Sequence, residues 1–196
     1  ATVLHYVENS RRMEDGELLL IDAGAEFDQY CCDVTRTYPV GRRYGSEQRR
    51  VYEIVLESQR RAIERVAPGV SFEAVHEEAL RVLVDGLRDL GAVTGSTDEV
   101  LQTGGYRPFY MHRTSHWLGM DVHDVGKYRS PEGPRLLEPG MVLTVEPGLY
   151  FGGDAAPERL RGIGVRIEDD VLVTPAGHDV LTREIPKATG EIEALR

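Results

Sequence analysis

Five residues of this chain have the type and setting to hold metal: Asp22 in LLLIDAGAE, Asp33 in CCDVTRT, His116 in RTSHWLGMDVHD, Glu146 in MVLTVEPGLY and Glu168 in RGIGVRIEDDVLV. Four of the five interrupt or directly end a run rich in Val, Ile, Leu or Thr. A carboxylate in a half-buried strand is costly unless it is paired or bound to a cation. Taken singly, each acid reads as a strand-end or turn residue in water. Taken together, four carboxylates and one imidazole point to a hard-cation site with room for two ions.

The elements that must position them alternate between strand and helix. Residues 2–7 (TVLHYV) alternate and predict a strand. Residues 18–23 (LLLIDA) predict a second, and 25–38 continue strand-like to Pro39, so tight antiparallel pairing would bring Asp33 within reach of Asp22. The Ala-Gly-Ala after Asp22 lets other backbone approach closely. Ser46 predicts the N-cap of a helix over about 47–66, with Val51, Ile54, Val55, Ile63 and Val66 on one stripe. Pro68-Gly69 ends it, and Ser71 caps a second helix that Gly91 stops. From 92 to 135 the chain reads as loop, dense in Gly, Pro and aromatics. Residues 141–146, 163–168 and 170–174 are further strands, ending MVLTV and IGVRI on Glu146 and Glu168. Strands, two helices, then strands make the fold class α+β.

His112 and His123 flank His116 around a single Trp and a Gly-rich stretch, which favours a site over isolated loop histidines. His5, His76 and His178 have no such setting and read as surface or edge residues. Other catalytic sets are absent. Ser115-His116 is not G-x-S-x-G, Gly162-Ile163-Gly164 leads into a strand rather than a helix, and no Walker pattern occurs.

At these residues the chain resembles the aminopeptidase P group of the pita-bread metallopeptidases. The matching stretches are IDAGAEFDQYCCDVTRTYPV, RPFYMHRTSHWLGMDVHDVG, LEPGMVLTVEPGLY and RGIGVRIEDDVLVT. The resemblance implies a pita-bread fold over residues 1–196, incomplete at its N-terminal side because the family's catalytic domain opens with further helices and a strand, and with no second domain present. It implies that Asp33 and Glu168 bridge two divalent cations, that Asp22 completes one of them, and that His116 and Glu146 complete the other. Manganese is the implied metal, with cobalt or zinc as alternatives. Glu146 would also accept and shuttle the proton, and His123 would stabilise the oxyanion beside the cations. His112 would line the substrate pocket, and Arg166 would position substrate or hold nearby carboxylates.

The implied reaction is metal-assisted hydrolysis releasing the first residue from peptides with proline in second position. Tyr106, Phe109, Tyr110 and Trp117 are candidates for an apolar proline pocket, with plain packing as the other account of Trp117. The alternatives are a prolidase-type Xaa-Pro dipeptidase and a non-catalytic pita-bread binding module.

The totals are those of an ordinary soluble globular chain long enough for one domain: 196 residues, 41% hydrophobic, formal net charge −10. That balance argues against nucleic acid as the main partner, and no apolar run of membrane-spanning length occurs. A homo-oligomer is compatible with all of this. Adjacent Cys31 and Cys32 lack metal or redox spacing. They read as strand residues facing opposite sides, consistent with the cytoplasm.

Overall fold

The computed structural model describes residues 2–195. Its strands are β1 (Leu18–Ala23), β2 (Glu26–Phe27), β3 (Tyr30–Cys31), β4 (Val34–Pro39), β5 (Arg129–Ser130), β6 (Gly133–Pro134), β7 (Val142–Val145), β8 (Gly148–Tyr150), β9 (Gly164–Arg166), β10 (Asp169–Thr174) and β11 (Gly177–Val180). Its helices are α1 (Ser46–Glu64), α2 (Phe72–Asp89), α3 (Thr97–Thr103) and α4 (Thr189–Ala194). All strand pairs are antiparallel: β1 with β4, β2 with β3, β5 with β6, β8 with β9, and β7 and β11 on either side of β10.

The α+β expectation therefore holds, with local departures. Thr2–Val7 form no strand, because no strand partner lies beside them among the described residues. The run from 25 to 38 is broken: β2 and β3 form a short hairpin turning through Asp28 and Gln29 at φ 48° and 73°, and only then does β4 begin. The α1 cap is Gly45 rather than Ser46, and its N–H donates to Gln48 Oε1 at 2.8 Å. Ser71 caps α2 as expected, its Oγ accepting from the Ala74 N–H at 3.1 Å. The loop of 92–135 contains α3, capped by Ser96 with Glu99 reaching back to the Ser96 N–H, a capping box that S-T-D-E announces.

Helices α1 and α2 pack against each other so closely that a Cβ on Gly86 would lie 2.3 Å from Ile54 Cγ2. Their apolar stripes, Val51, Val55 and Ile63 with Val75, Leu83 and Leu87, are buried. They form two adjoining core clusters with Leu149, Val165 and Ile167 on one side and Leu143, Val145 and Val171 on the other. Helix α1 also rests against β7, β8 and β9, so the helices back the strands whose ends carry the acids.

The β1–β4 pair is joined to the other strands through backbone. The Glu168 N–H donates to Thr35 O at 3.0 Å, and Thr37 Oγ1 donates to Arg166 O at 2.9 Å. Beneath this seam Arg36, 2% exposed, uses all five of its donors. They reach Pro186 O, Thr35 O, Glu168 O, Ile185 O and Asp169 Oδ1. Asp169, fully buried, also accepts from Lys187 Nζ at 2.6 Å and Gln59 Nε2 at 3.0 Å. Burial works to raise its pKa, but Arg36 and Lys187 outweigh it and hold the carboxyl below its ordinary value. Replacing Asp169 with alanine strands the buried Arg36 guanidinium and removes the partner of the partly buried Lys187 ammonium. We expect a loss of about 3–5 kcal/mol in urea unfolding; a loss below about 1 kcal/mol would contradict this account of the seam.

Candidate metal centre

Strand register brings the five metal-type residues together. Asp22 sits in β1 opposite Thr35, and Asp33 immediately precedes β4. The chain closes tightly at the base of the β2–β3 excursion between them: a Cβ on Gly24 would lie 1.8 Å from Cys32 O. The glycine is therefore required by close backbone approach, as the small residues after Asp22 suggested. Asp169 pairs with Val145, which sets Glu146 just past the end of β7 and Glu168 just before the start of β10. Residues 114–118 run antiparallel beside β7: the Thr144 N–H donates to His116 O at 3.0 Å and the Glu146 N–H to Thr114 O at 2.8 Å. His116 is thereby held over the same strand end.

All eight residues singled out in the sequence, Asp22, Asp33, His112, His116, His123, Glu146, Arg166 and Glu168, line one cavity of about 580 Å³. Ligand atoms of Asp33, His116 and Glu168 lie within 4.8 Å of one another. His116 Nε2 is 3.4 Å from Asp33 Oδ2 and 3.5 Å from Glu146 Oε1. Asp22 lies beside Asp33, close enough to perturb its ionisation, and accepts from Arg166 Nη2 at 2.6 Å.

The donor set fits divalent cations on two grounds. First, like charges converge out of water. Glu168 is 1% exposed, and burial, with Glu146 and Asp33 adding to it, pushes its carboxyl well above the ordinary range. Burial likewise lifts Glu146 to about 7, against the pull of His116 and Arg166. Cations would relieve both. Second, His116 Nδ1 lies 3.0 Å from Trp117 O. A carbonyl only accepts, so Nδ1 carries a hydrogen and Nε2 is the nitrogen aimed among the acids, where a cation would displace its proton, the orientation a metal-binding imidazole needs.

Around the acids a polar frame fixes their side chains. Thr35 Oγ1 donates to Glu168 Oε2 at 2.6 Å and accepts from Arg166 Nε at 3.2 Å. Arg166 Nη1 donates to the Tyr150 hydroxyl at 3.2 Å. His112 is kept neutral by burial, which lowers its pKa to about 4. Its Nδ1 donates to Arg113 O at 2.8 Å, so its Nε2 accepts from the Tyr150 hydroxyl at 2.8 Å. The chain Arg166–Tyr150–His112 is thus polarised in one direction. His123 packs edge-on against His116, ring centroids 4.4 Å apart.

Sequence reasoning missed Thr35 and Tyr150, since a lone Thr or Tyr in a strand carries no signal. It misassigned His76, which is buried and bonded through Nδ1 to Thr114 Oγ1 at 2.8 Å. His5 lines the cavity rather than an unrelated surface. The proposed proline-pocket aromatics do not line it. Phe109, Tyr110 and Trp117 are core residues, Tyr106 packs against the core, and Leu4, Phe72 and Tyr128 form the apolar wall instead. Trp117 is the support under that wall, stacked on Tyr128 at 5.7 Å and tilted against Phe72 at 4.6 Å.

Gly24→Ala tests the frame. The methyl group must displace the 31–33 backbone and with it Asp33, and a displacement on the order of 1 Å costs about 10²-fold in rate. Calorimetric titration with manganese should show weakened binding; unaltered affinity would mean that the turn does not position Asp33.

Residues 1–175 match the model of metallopeptidase family M24, and the chain belongs to that family. Among its relatives are Xaa-Pro aminopeptidases of Haemophilus influenzae, 50% identical over all of this chain and 45% of that protein, and of Escherichia coli, 51% identical over 98% of this chain and 44% of that protein. Aminopeptidase PepP of Pseudomonas aeruginosa superposes with a TM-score of 0.96 at 51% identity, over 98% of this chain and 44% of that one. Proline aminopeptidase P II of Yersinia pestis gives 0.94 at 49% identity over the same shares. The fold is therefore the pita-bread fold of aminopeptidase P, and the chain spans less than half the length of these relatives. No helix among the described residues is long and apolar enough to cross a membrane.

Proposed function

We propose that this chain carries the catalytic centre of a dinuclear metalloaminopeptidase that releases the first residue from peptides with proline in second position. The observation that carries this reading is the convergence of Asp33, His116 and Glu168 donor atoms within 4.8 Å, with Asp22 and Glu146 beside them in one cavity. Asp33 and Glu168 would serve both cations, Asp22 would help hold one, and His116 and Glu146 would help hold the other. The donor chemistry, oxygen with one imidazole and no thiolate, suits manganese. The bound cations would supply Lewis acidity, activating water and polarising the scissile carbonyl.

The chain's own residues do the rest. Glu146, with a carboxyl near neutrality, takes the proton from the attacking water and returns it to the leaving nitrogen. His123 donates to the developing oxyanion. Arg166 fixes Asp22 through a 2.6 Å bond and, with Tyr150, holds His112 at the cavity wall. Leu4, Phe72 and Tyr128 offer an apolar surface to a proline ring. That ring leaves the scissile amide without an N–H, so the site needs no acceptor for one. Unpaired Cys31 and Cys32 suit a reducing compartment such as the cytoplasm.

Incubation with an Xaa-Pro-Yaa peptide and manganese should liberate Xaa and Pro-Yaa, and an Xaa-Ala-Yaa analogue should be cleaved far more slowly. Cleavage confined to Xaa-Pro dipeptides would overturn the reading in favour of a prolidase. No turnover by the folded, manganese-loaded protein would favour a binding module.

A further inference from the structure

The cavity extends beyond the acids. It is also lined by Arg113, Arg129, Glu73 and Ser115, none of which has a part in the chemistry above. Arg113 Nη2 donates to Glu73 Oε2 at 2.6 Å. That bond holds the Glu73 carboxyl below its ordinary range, and Arg129 is near enough to add to the effect. Two guanidinium groups thus face one carboxylate, leaving a surplus positive charge. No hydrogen bond or ion pair among the described residues engages the Arg129 side chain. Ser115 gives a second, independent sign: it is 6% exposed, lines the same cavity, and its buried Oγ has no hydrogen-bond partner. A buried hydroxyl without a partner is costly, and a polar group arriving through the cavity would satisfy it.

We propose that Arg129, Arg113 and Ser115 form a subsite for a carboxylate on the leaving side of the scissile bond, so that the enzyme reads the free C-terminus of a tripeptide. The proposal rests on the aminopeptidase reading, and spacing supports it. Arg113 stands three residues before His116, at most about 10 Å along extended chain. A carbonyl at the metal centre puts the carboxylate of a Pro-Yaa leaving group about 7 Å away, inside the cavity that both guanidinium residues line. Arg129 is backbone-paired in β5 opposite Pro134, which gives its side chain a fixed base beside the cavity it lines. Guanidinium matches carboxylate in a two-bond fork, and the Ser115 hydroxyl adds a third donor. Glu73 keeps Arg113 turned toward the wall, leaving Arg129 as the principal reader.

The test compares acid with amide. Binding of Pro-Leu and of Pro-Leu amide is measured calorimetrically on wild type, Arg129→Ala and Arg129→Lys, alongside steady-state cleavage of Ala-Pro-Leu and its amide. Wild type should bind the acid about tenfold more tightly than the amide. Arg129→Ala should erase that preference and Arg129→Lys restore part of it. In turnover, Arg129→Ala should raise KM for the acid about tenfold with kcat unchanged and leave the amide unaffected. Equal binding of acid and amide by wild type would overturn the subsite. So would an acid preference that persists in Arg129→Ala, because the metal centre itself would then be its source. Wild type that prefers the acid but hydrolyses neither peptide would sink the aminopeptidase reading and leave the subsite standing.

Discussion

Replacing Glu146 with glutamine is expected to lower the turnover of an Xaa-Pro-Yaa peptide by about 10²–10⁴-fold, the range that loss of a general acid–base group produces. The amide keeps the shape of the side chain and an oxygen toward His116, but cannot accept a proton. The environment of Glu146 is what makes it suited to that task. Burial raises its carboxyl to about 7 while His116 and Arg166 restrain the rise, so it exchanges a proton near neutral pH. Backbone pairing to Thr114 O fixes where it points. The fold should survive, since removing one of several crowded carboxylates relieves repulsion. Steady-state kinetics with circular dichroism on the same sample checks both halves, and wild-type-like turnover would refute the role.

Metal should make stability rise more steeply with pH. In the metal-free protein Glu146 and Glu168 have folded-state pKa values raised above the ordinary 4.5, Glu146 to about 7. A raised carboxyl means that the folded state binds protons more tightly than the unfolded chain. Stability is therefore highest below about 4.5 for these groups and falls as pH rises toward 7. Glu146 alone contributes on the order of 3 kcal/mol across that window. The depressed Asp33 and Asp169 act below 3.8, while His76 and His112, lowered by burial to about 4, work the opposite way between about 4 and 6.5 with or without metal. Manganese binds the deprotonated acids, so saturating metal should remove the falling contribution of Glu146 and Glu168 and shift the slope toward rising stability with pH. At a hundredfold excess over Kd the gain is about 2.7 kcal/mol. Urea midpoints at pH 5, 6 and 7 with and without manganese measure this; parallel curves would mean that the acids bind no cation.

The parts of this fold most legible in the sequence were those with strong periodicity or capping. The α2 stripe and its Ser71 cap lie where the pattern puts them, and the apolar runs ending on Glu146 and Glu168 are strand ends facing one cavity. Asp22 and Asp33 could be paired because two successive strand-like runs predict antiparallel neighbours, although the short β2–β3 hairpin between them was not foreseen. What escaped depends on long-range partners. Arg36 and Asp169 look like ordinary charged residues until β4 and β10 are brought together across 133 positions of chain. Thr2–Val7 alternate like a strand but have no partner strand, so local propensity is not realised. His76 looked solitary because Thr114 lies 38 residues away. The aromatic wall was misplaced for a similar reason: Trp117 stacks behind Tyr128 instead of facing the cavity.

The central claim is that these five side chains hold two cations that the hydrolysis requires. The most direct measurement titrates manganese into metal-free protein while following release of the first residue from an Xaa-Pro-Yaa peptide. Turnover should be absent without metal, rise with each addition and level off near two equivalents. Turnover indifferent to manganese and to chelator, or saturation without any release of the first residue, would contradict the account.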